Sequence, residues 1–226
     1  MSDQNDASDG WFSARGKDLH GMGAKMLEFI LDKGIHGFGP VKGASAVAEE
    51  TLANTGRDRE KAIARLIAAH ARIVGTTGFV TGLGGLPTLP VSIPTDVTVF
   101  YTRAARMTAA IAHLRGYDVE SEDVRSLVAV SLIGSAGAEA LSKAGVEIGK
   151  KVAVAQLRRL PGSVLIKINK AVGFRLITKF GTKGSVNLVK GVPGVGGLVG
   201  GTVNVASIYG IATYAKVNFP AVDDAN

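Results

Sequence analysis

Two glycine-rich apolar runs constrain the fold of this chain more than any other feature of its sequence. The first run, Ile73 to Tyr101, carries one charged residue, Asp96, and the second, Gly191 to Ala215, carries none. Glycine inside a helix costs about 0.5–1 kcal/mol relative to alanine, so such helices must gain close packing, a bend or contact with lipid. The runs contain matching pentads, Gly82-Leu83-Gly84-Gly85-Leu86 and Gly194-Val195-Gly196-Gly197-Leu198. This pattern predicts two related glycine-rich helical hairpins that face one another.

The spacing of apolar residues predicts a compact all-α domain of several helices. Apolar residues between Leu19 and Ile30 recur at helical intervals, and Gly34 is expected to end that first helix. A second helix is predicted over Ala44 to Asn54. A third, capped by Asp58, is expected to run to about Val74 and then to be interrupted by glycines.

Prolines mark the turn of the first hairpin. Proline removes a helical hydrogen bond and biases the preceding residue towards extended conformations. The segment from Gly82 to Ile93 is therefore predicted to be non-helical, because it includes Pro87 and Pro90. The next helix is expected to begin at Pro94 and to end at Gly116. A further single helix, capped by Ser121, is predicted over residues 122–143.

The most amphipathic segment is Ser163 to Phe180. Its aliphatic stripe consists of Leu165, Ile168, Val172 and Leu176, and its basic residues are Lys167, Lys170, Arg175 and Lys179. An aliphatic stripe with cationic edges is typical of an interfacial helix on an anionic bilayer. The same pattern is typical of a surface helix of a bundle, in which lysine stems cover the edges. The sequence leaves both interpretations open.

The charge of the chain is concentrated in its C-terminal third. The formal net charge is +7, and no acidic residue occurs from Ile148 to Val222. Such a segment attracts anionic lipid, nucleic acid or an acidic protein surface. Nucleic acid is the weaker expectation, because few aromatic side chains are available to stack on bases. The absence of cysteine excludes disulfides and thiolate chemistry.

The ends of the chain predict tails around one domain. Residues 1–10 contain three aspartates and no basic residue, which is unlike a secretory signal. We expect a disordered acidic tail over residues 1–16, a single helical domain over 17–220 and a short tail over 221–226, in a cytoplasmic protein. Neither apolar run fits a conventional transmembrane helix, because prolines cut the first and glycines dilute the second.

The sequence contains no motif that specifies a chemical reaction. His113 and Asp118 are weak candidates for an acid–base pair, although a histidine near a helix C-terminus is also favourable for structural reasons. The four histidines lack metal-ligand spacing, and no phosphate-loop or nucleophile-elbow pattern occurs. We expect no metal and no cofactor. A hydrolase acting on a lipid-like substrate stays open as a further alternative.

Several segments resemble the EcsC family of bacterial proteins, which is named for its position beside an ABC transporter. The resemblance covers about residues 25–220. It is carried by Gly78-Phe-Val-Thr-Gly-Leu-Gly-Gly-Leu-Pro87, Ile111-Ala-His-Leu-Arg-Gly-Tyr-Asp118, Ile168-Asn-Lys-Ala-Val-Gly-Phe-Arg-Leu-Ile-Thr-Lys-Phe-Gly181 and Asn187-Leu-Val-Lys-Gly-Val-Pro-Gly-Val-Gly-Gly197. It implies association with a membrane, and it implies no catalytic residues. The positions it marks as a structural motif are Gly82, Gly84, Gly85, Pro90, Asp96 and Asn169. Asn204 stands where the resemblance leads one to expect an acid.

The leading functional hypothesis is a peripheral protein of the inner face of the cell membrane that binds anionic lipid or encloses an acyl chain. Lys167, Lys170, Arg175 and Lys179 are expected to contact headgroups. The hairpin residues expected to enter the leaflet are Leu83, Leu86, Val195 and Leu198. The alternative is a soluble protein-interaction module, such as an accessory to a membrane transporter. The sequence leaves the oligomeric state open.

Overall fold

The computed structural model describes residues 21–83, 95–143, 157, 159–181 and 195–221. This part of the chain contains eight helices and one short β-hairpin, which confirms the all-α prediction. In chain order the elements are α1 (21–35), β1 (Gly37–Phe38), β2 (Val41–Lys42), α2 (Ala44–Ala53), α3 (Arg59–Leu83), α4 (Thr95–Leu114), α5 (Glu122–Leu132), α6 (Ser135–Lys143), α7 (Gly162–Gly181) and α8 (Val195–Asn218). The predicted tail over 1–16 and the hairpin residues Gly84, Gly85, Leu86 and Pro90 lie outside the described residues.

Helices α4 and α5 form the centre of the molecule. From Tyr101 to Ala112 every residue of α4 except Arg103 is buried, and from Asp123 to Leu132 every residue of α5 except Arg125 is buried. Helix α4 contains five alanines and α5 contains one alanine and two serines, and these small side chains let neighbouring helices pack closely. Helices α2, α3 and α8 contact α4, while α6, α7 and α8 contact α5.

Contacts at the helix ends fix the relative directions of α3, α4 and α8. Glu60 at the start of α3 forms an ion pair with Arg115 just after α4, with Arg115 Nη2 and Glu60 Oε1 2.8 Å apart. The Tyr117 hydroxyl, also beyond α4, donates to the carbonyl oxygen of Pro220 beyond α8 at 2.9 Å. Helix α3 is therefore antiparallel to α4 and α8. The C-terminus of α3 and the N-termini of α4 and α8 lie at the opposite end of the bundle.

The two glycine-rich runs form the most extensive helix pair, α3 against α8. A Cβ atom on Gly75 would lie 2.9 Å from Val205 Cγ2, and Asn204 Nδ2 donates to the Val74 carbonyl at 3.5 Å. Helix α3 continues through Gly75 to Leu83, so the predicted interruption after Val74 and the predicted non-helical start at Gly82 are wrong. The packing of α8 against the small residues of α3 offsets the entropic cost of its glycines.

Two predicted helix boundaries are corrected by the structure. Helix α1 ends at Ile35, one residue beyond the predicted end at Gly34. Gly34 also lies against α4, where a Cβ on it would come within 2.8 Å of Ala105 Cβ. The single helix predicted over residues 122–143 is two helices, α5 and α6. They separate at Gly134, whose φ of +60° is a left-handed conformation that favours glycine.

A small hairpin connects α1 to α2. The paired strands β1 and β2 are antiparallel, with Gly37 opposite Lys42 and Phe38 opposite Val41. Gly37 has φ +83° and Gly39 has φ +52°, and these left-handed conformations allow a tight reversal between the two strands.

Candidate functional site

The aliphatic stripe of α7 faces the protein. Leu165, Ile168, Val172 and Leu176 are all buried, and α7 contacts α5 and α6. Near the middle of α7, Gly173 lies against Gly23 of α1, where a Cβ on Gly23 would come within 2.6 Å of the Gly173 carbonyl carbon. The stripe is therefore part of the core. The arrangement is that of the bundle surface helix, one of the two alternatives left open by the amphipathic pattern.

The outward face of α7 is cationic. Lys167 and Lys170 are exposed, and Ile166 beside them is 55% exposed. Among the described residues, neither lysine takes part in an ion pair. Arg175 differs, because it is half-buried and its Nη2 lies 3.6 Å from Glu139 Oε2 on α6. Of the four predicted headgroup contacts, the structure thus exposes two and pairs the third. The side chain of Lys179 lies outside the described part.

Helix α8 has apolar residues on its outward face as well as its buried face. Val203 is 46% exposed, Tyr209 50% and Val217 42%. They are six and eight residues apart, so they are spread over about 120° of the outward side of the helix. The opposite side, with Ile208, Ile211 and other residues, is buried. A helix that is apolar all round is usually buried on all sides, so this face is a candidate contact surface.

The predicted leaflet-entering residues belong to one end of the bundle. Leu83 is the last residue of α3, and Val195 and Leu198 lie in the first turn of α8. These helix termini share an end because α3 and α8 are antiparallel. Their side chains, and the whole of Leu86, lie outside the described residues. Within the described helices, none is both long and apolar enough to cross a membrane.

His113 and Asp118 do not pair with each other. His113 Nε2 is 2.8 Å from Glu49 Oε1 on α2, at the protein surface. The Asp118 carboxylate accepts a hydrogen bond from the Glu120 amide at 3.0 Å, which shapes the turn before α5. Ser121 occupies the predicted N-cap position of α5, but its hydroxyl donates to the Asp118 carbonyl and makes no side-chain cap. The acid–base geometry considered from the sequence is therefore absent from this pair.

Asn169 and Asp96 have structural positions. Asn169 Nδ2 donates to Ser126 Oγ at 3.2 Å and so joins α7 to α5. Asp96 lies in the first turn of α4, where the helix dipole favours an acid. Its side chain is not among those described.

A basic cluster was not predicted from the sequence. It consists of His70 and Arg106, which are buried, and Arg103, which is half-buried. Arg106 is 6% exposed, and its Nη2 donates to the Lys33 carbonyl at 3.3 Å. Burial lowers the pKa of Arg106, and nearby Arg103 lowers it further. Burial likewise lowers the pKa of His70, and both arginines contribute to that lowering. The signal in the sequence is two arginines one turn apart in the middle of a helix that is rich in alanine.

Within the described residues, this cluster has no compensating acid. Neither arginine forms an ion pair with a carboxylate in the described part of the chain. Buried charges in proteins are usually paired, because the effective cost of burying an unpaired ion is several kcal/mol. The Lys33 carbonyl at the C-terminus of α1 supplies only part of that compensation.

Metal binding and similarity to known proteins add no further site. In residues 21–83, 95–143, 157, 159–181 and 195–221, no group of three or more histidine, aspartate or glutamate side chains could hold a metal ion. No protein-family model, curated protein or solved structure matches this chain.

Proposed function

We propose that the protein binds anionic membrane surfaces peripherally, with the outward face of α7 against the lipid headgroups. The observation that supports this most directly is the exposure of Lys167 and Lys170 on one side of α7, without acidic partners among the described residues. Each lysine near an anionic bilayer contributes about 1 kcal/mol. The absence of acidic residues from Ile148 to Val222 adds to the attraction.

The burial of the aliphatic stripe determines the mode of binding that we propose. Since Leu165, Ile168, Val172 and Leu176 belong to the core, α7 cannot present them to acyl chains without leaving the bundle. Ile166 is the exposed apolar residue beside the two lysines. Binding through this face is therefore mainly electrostatic. Exposed charges are screened beyond about 8 Å at physiological ionic strength, so the affinity depends steeply on salt.

A paired charge-reversal experiment tests the role of this face. We expect Lys167→Glu/Lys170→Glu to weaken binding to vesicles containing phosphatidylglycerol by at least about tenfold, since loss of two lysines removes about 2 kcal/mol. The matched control is Lys61→Glu/Arg65→Glu, which changes the net charge equally on exposed positions of α3. Equal weakening by both variants would show dependence on net charge alone. Unchanged binding by the α7 variant would reject the proposal.

A second candidate function is docking of a protein partner on α8. The exposed Val203, Tyr209 and Val217 place three large apolar side chains on the outward side of α8, where an amphipathic helix of a partner would pack. A photo-crosslinking amino acid in place of Tyr209, introduced in cells, should then link one specific partner, while the same residue in place of Lys61 should not. Crosslinking at neither position would leave this candidate without support.

A further inference from the structure

We infer that His70, Arg103 and Arg106 form a binding site for a phosphate-type oxyanion between α1, α3 and α4. This basic cluster lies apart from the exposed lysines of α7, and the inference does not rest on the proposed membrane function. The ligand chemistry is a tetrahedral oxyanion, which either free phosphate or a phosphorylated lipid headgroup can supply.

The helix register brings the three side chains to one level of the bundle. The Glu60–Arg115 ion pair fixes where antiparallel α3 and α4 begin to run side by side. His70 lies ten residues along α3 from Glu60, a rise of about 15 Å. Arg106 lies nine residues back along α4 from Arg115, a rise of about 14 Å, and Arg103 lies one turn further. The electrostatic influence of both arginines on His70 agrees with this placement.

The cluster offers hydrogen-bond donors that the protein itself does not satisfy. Nε of Arg103 and Nε of Arg106 are both buried without a hydrogen-bond partner. Arg106 as a whole is 6% exposed, so water has little access to its guanidinium. Guanidinium groups bind phosphate through paired N–H donors and hold their charge at all physiological pH values. Two such groups one helical turn apart suit a single oxyanion.

A purely structural role accounts for only part of this arrangement. Arg106 Nη2 donates to the Lys33 carbonyl and so caps the C-terminus of α1. That contact uses neither Nε atom and gives Arg103 no partner. Lys33 does not contribute a competing charge, because its Nζ is held 2.9 Å from the Asp32 carboxylate. Asp32 is thereby engaged on the exposed side of α1.

His70 is placed to respond to the anion. Its Nδ1 lies 2.9 Å from the Leu66 carbonyl oxygen, and because a carbonyl only accepts, Nδ1 carries the proton of this hydrogen bond. Nε2 is then the ring nitrogen that gains a proton when negative charge arrives beside it. Bound phosphate should therefore raise the pKa of His70, whereas an arginine cluster with a structural role only leaves that pKa unchanged.

The first test measures thermal unfolding of the whole protein in sodium phosphate and in sodium chloride of equal ionic strength. We expect a saturable rise in Tm with phosphate that Arg103→Gln removes and Arg65→Gln keeps. Arg103 is the better variant, because it is less buried than Arg106 and its replacement leaves the Lys33 contact in place. Phosphate also stabilises proteins non-specifically, so an equal rise in wild type and Arg103→Gln would overturn the inference.

The second test follows the histidine ring signals by NMR during a pH titration. An upward movement of the His70 pKa with phosphate, absent in Arg103→Gln and absent for His113, would support the site. An unchanged His70 titration would overturn it. A soluble short-chain phosphatidic acid replaces phosphate in a parallel series, and tighter saturation by the lipid identifies a headgroup as the preferred source. Repeating the phosphate series on Lys167→Glu/Lys170→Glu separates this site from the proposed membrane function, since we expect that variant to keep the full response.

Discussion

At the scale of single residues, the closest approach between α1 and α7 is made by two glycines. Gly23 and Gly173 lie backbone against backbone, and a side chain on either would meet the other's carbonyl group. Gly210 on α8 is the opposite case, because a Cβ there would meet nothing within 4 Å. The structure therefore separates glycines required by packing from glycines that are merely tolerated.

The contrast between these glycines gives the first prediction. We expect Gly23→Ala to lower the free energy of unfolding by about 1–3 kcal/mol, because the added methyl group forces α1 and α7 apart. Gly210→Ala should instead raise it by about 0.5–1 kcal/mol, since alanine restricts the unfolded chain and favours the helix. Urea denaturation of the two variants measures both changes. A stable Gly23→Ala protein would contradict the described contact.

His70 gives a pH-dependent prediction. Burial lowers its pKa below the ordinary value of 6.5 in the folded protein. The unfolded chain therefore binds a proton near pH 6.5 while folded His70 stays neutral to lower pH. Its contribution to stability is complete above pH 6.5 and is lost as the pH falls below it, by about 1.4 kcal/mol for each unit of difference in pKa. We expect wild type to lose more stability than His70→Gln between pH 7.5 and 5.5 in chloride buffers. Equal losses of stability in wild type and His70→Gln would show that His70 is not buried as described.

At the scale of elements, one face of α7 packs in the core and the other face is exposed. Ile168 is buried against the core, whereas Ile166, two residues earlier, is largely exposed. We expect Ile168→Ala to lower the free energy of unfolding by about 2–5 kcal/mol, through lost burial and the cavity it leaves. Ile166→Ala should change it by no more than about 0.5 kcal/mol. Urea denaturation measures both free energies of unfolding. A larger decrease for Ile166→Ala than for Ile168→Ala would mean that α7 packs on the core with its opposite face.

The sequence predicted the helices more reliably than their breaks. Apolar spacing located α2 and α7 to within a few residues, and Pro94 and Gly116 did the same for α4. The prediction failed where a glycine can either break a helix or allow another helix to pack closely against it. Gly75 lies within α3 because α8 packs closely there, while Gly134 separates α5 from α6 because it adopts a positive φ. Local sequence does not distinguish these cases, since the first depends on a partner helix about 130 residues away.

At the scale of the whole molecule, the two glycine-rich runs meet where α3 packs against α8. The two facing hairpins predicted from the shared pentads include residues 84–94 and 182–194, which lie outside the described part of the chain. The exposed lysines of α7 could be anticipated from the sequence, because Lys167 and Lys170 flank the aliphatic stripe. The basic cluster could not, because His70 comes from α3 and meets Arg103 and Arg106 only through the packing of α3 on α4. Long-range contacts of this kind are not encoded in local periodicity.

The central claim is peripheral, electrostatic binding to an anionic membrane surface. Flotation of the purified protein with neutral phosphatidylcholine vesicles and with vesicles containing phosphatidylglycerol, at low and high salt, tests it most directly. We expect flotation with the anionic vesicles alone, and its loss at high salt, because the cationic face of α7 adsorbs while its aliphatic stripe stays in the core. Flotation that persists in high salt would contradict this mode and indicate insertion of apolar residues. Absence of flotation with either vesicle would contradict the membrane function itself.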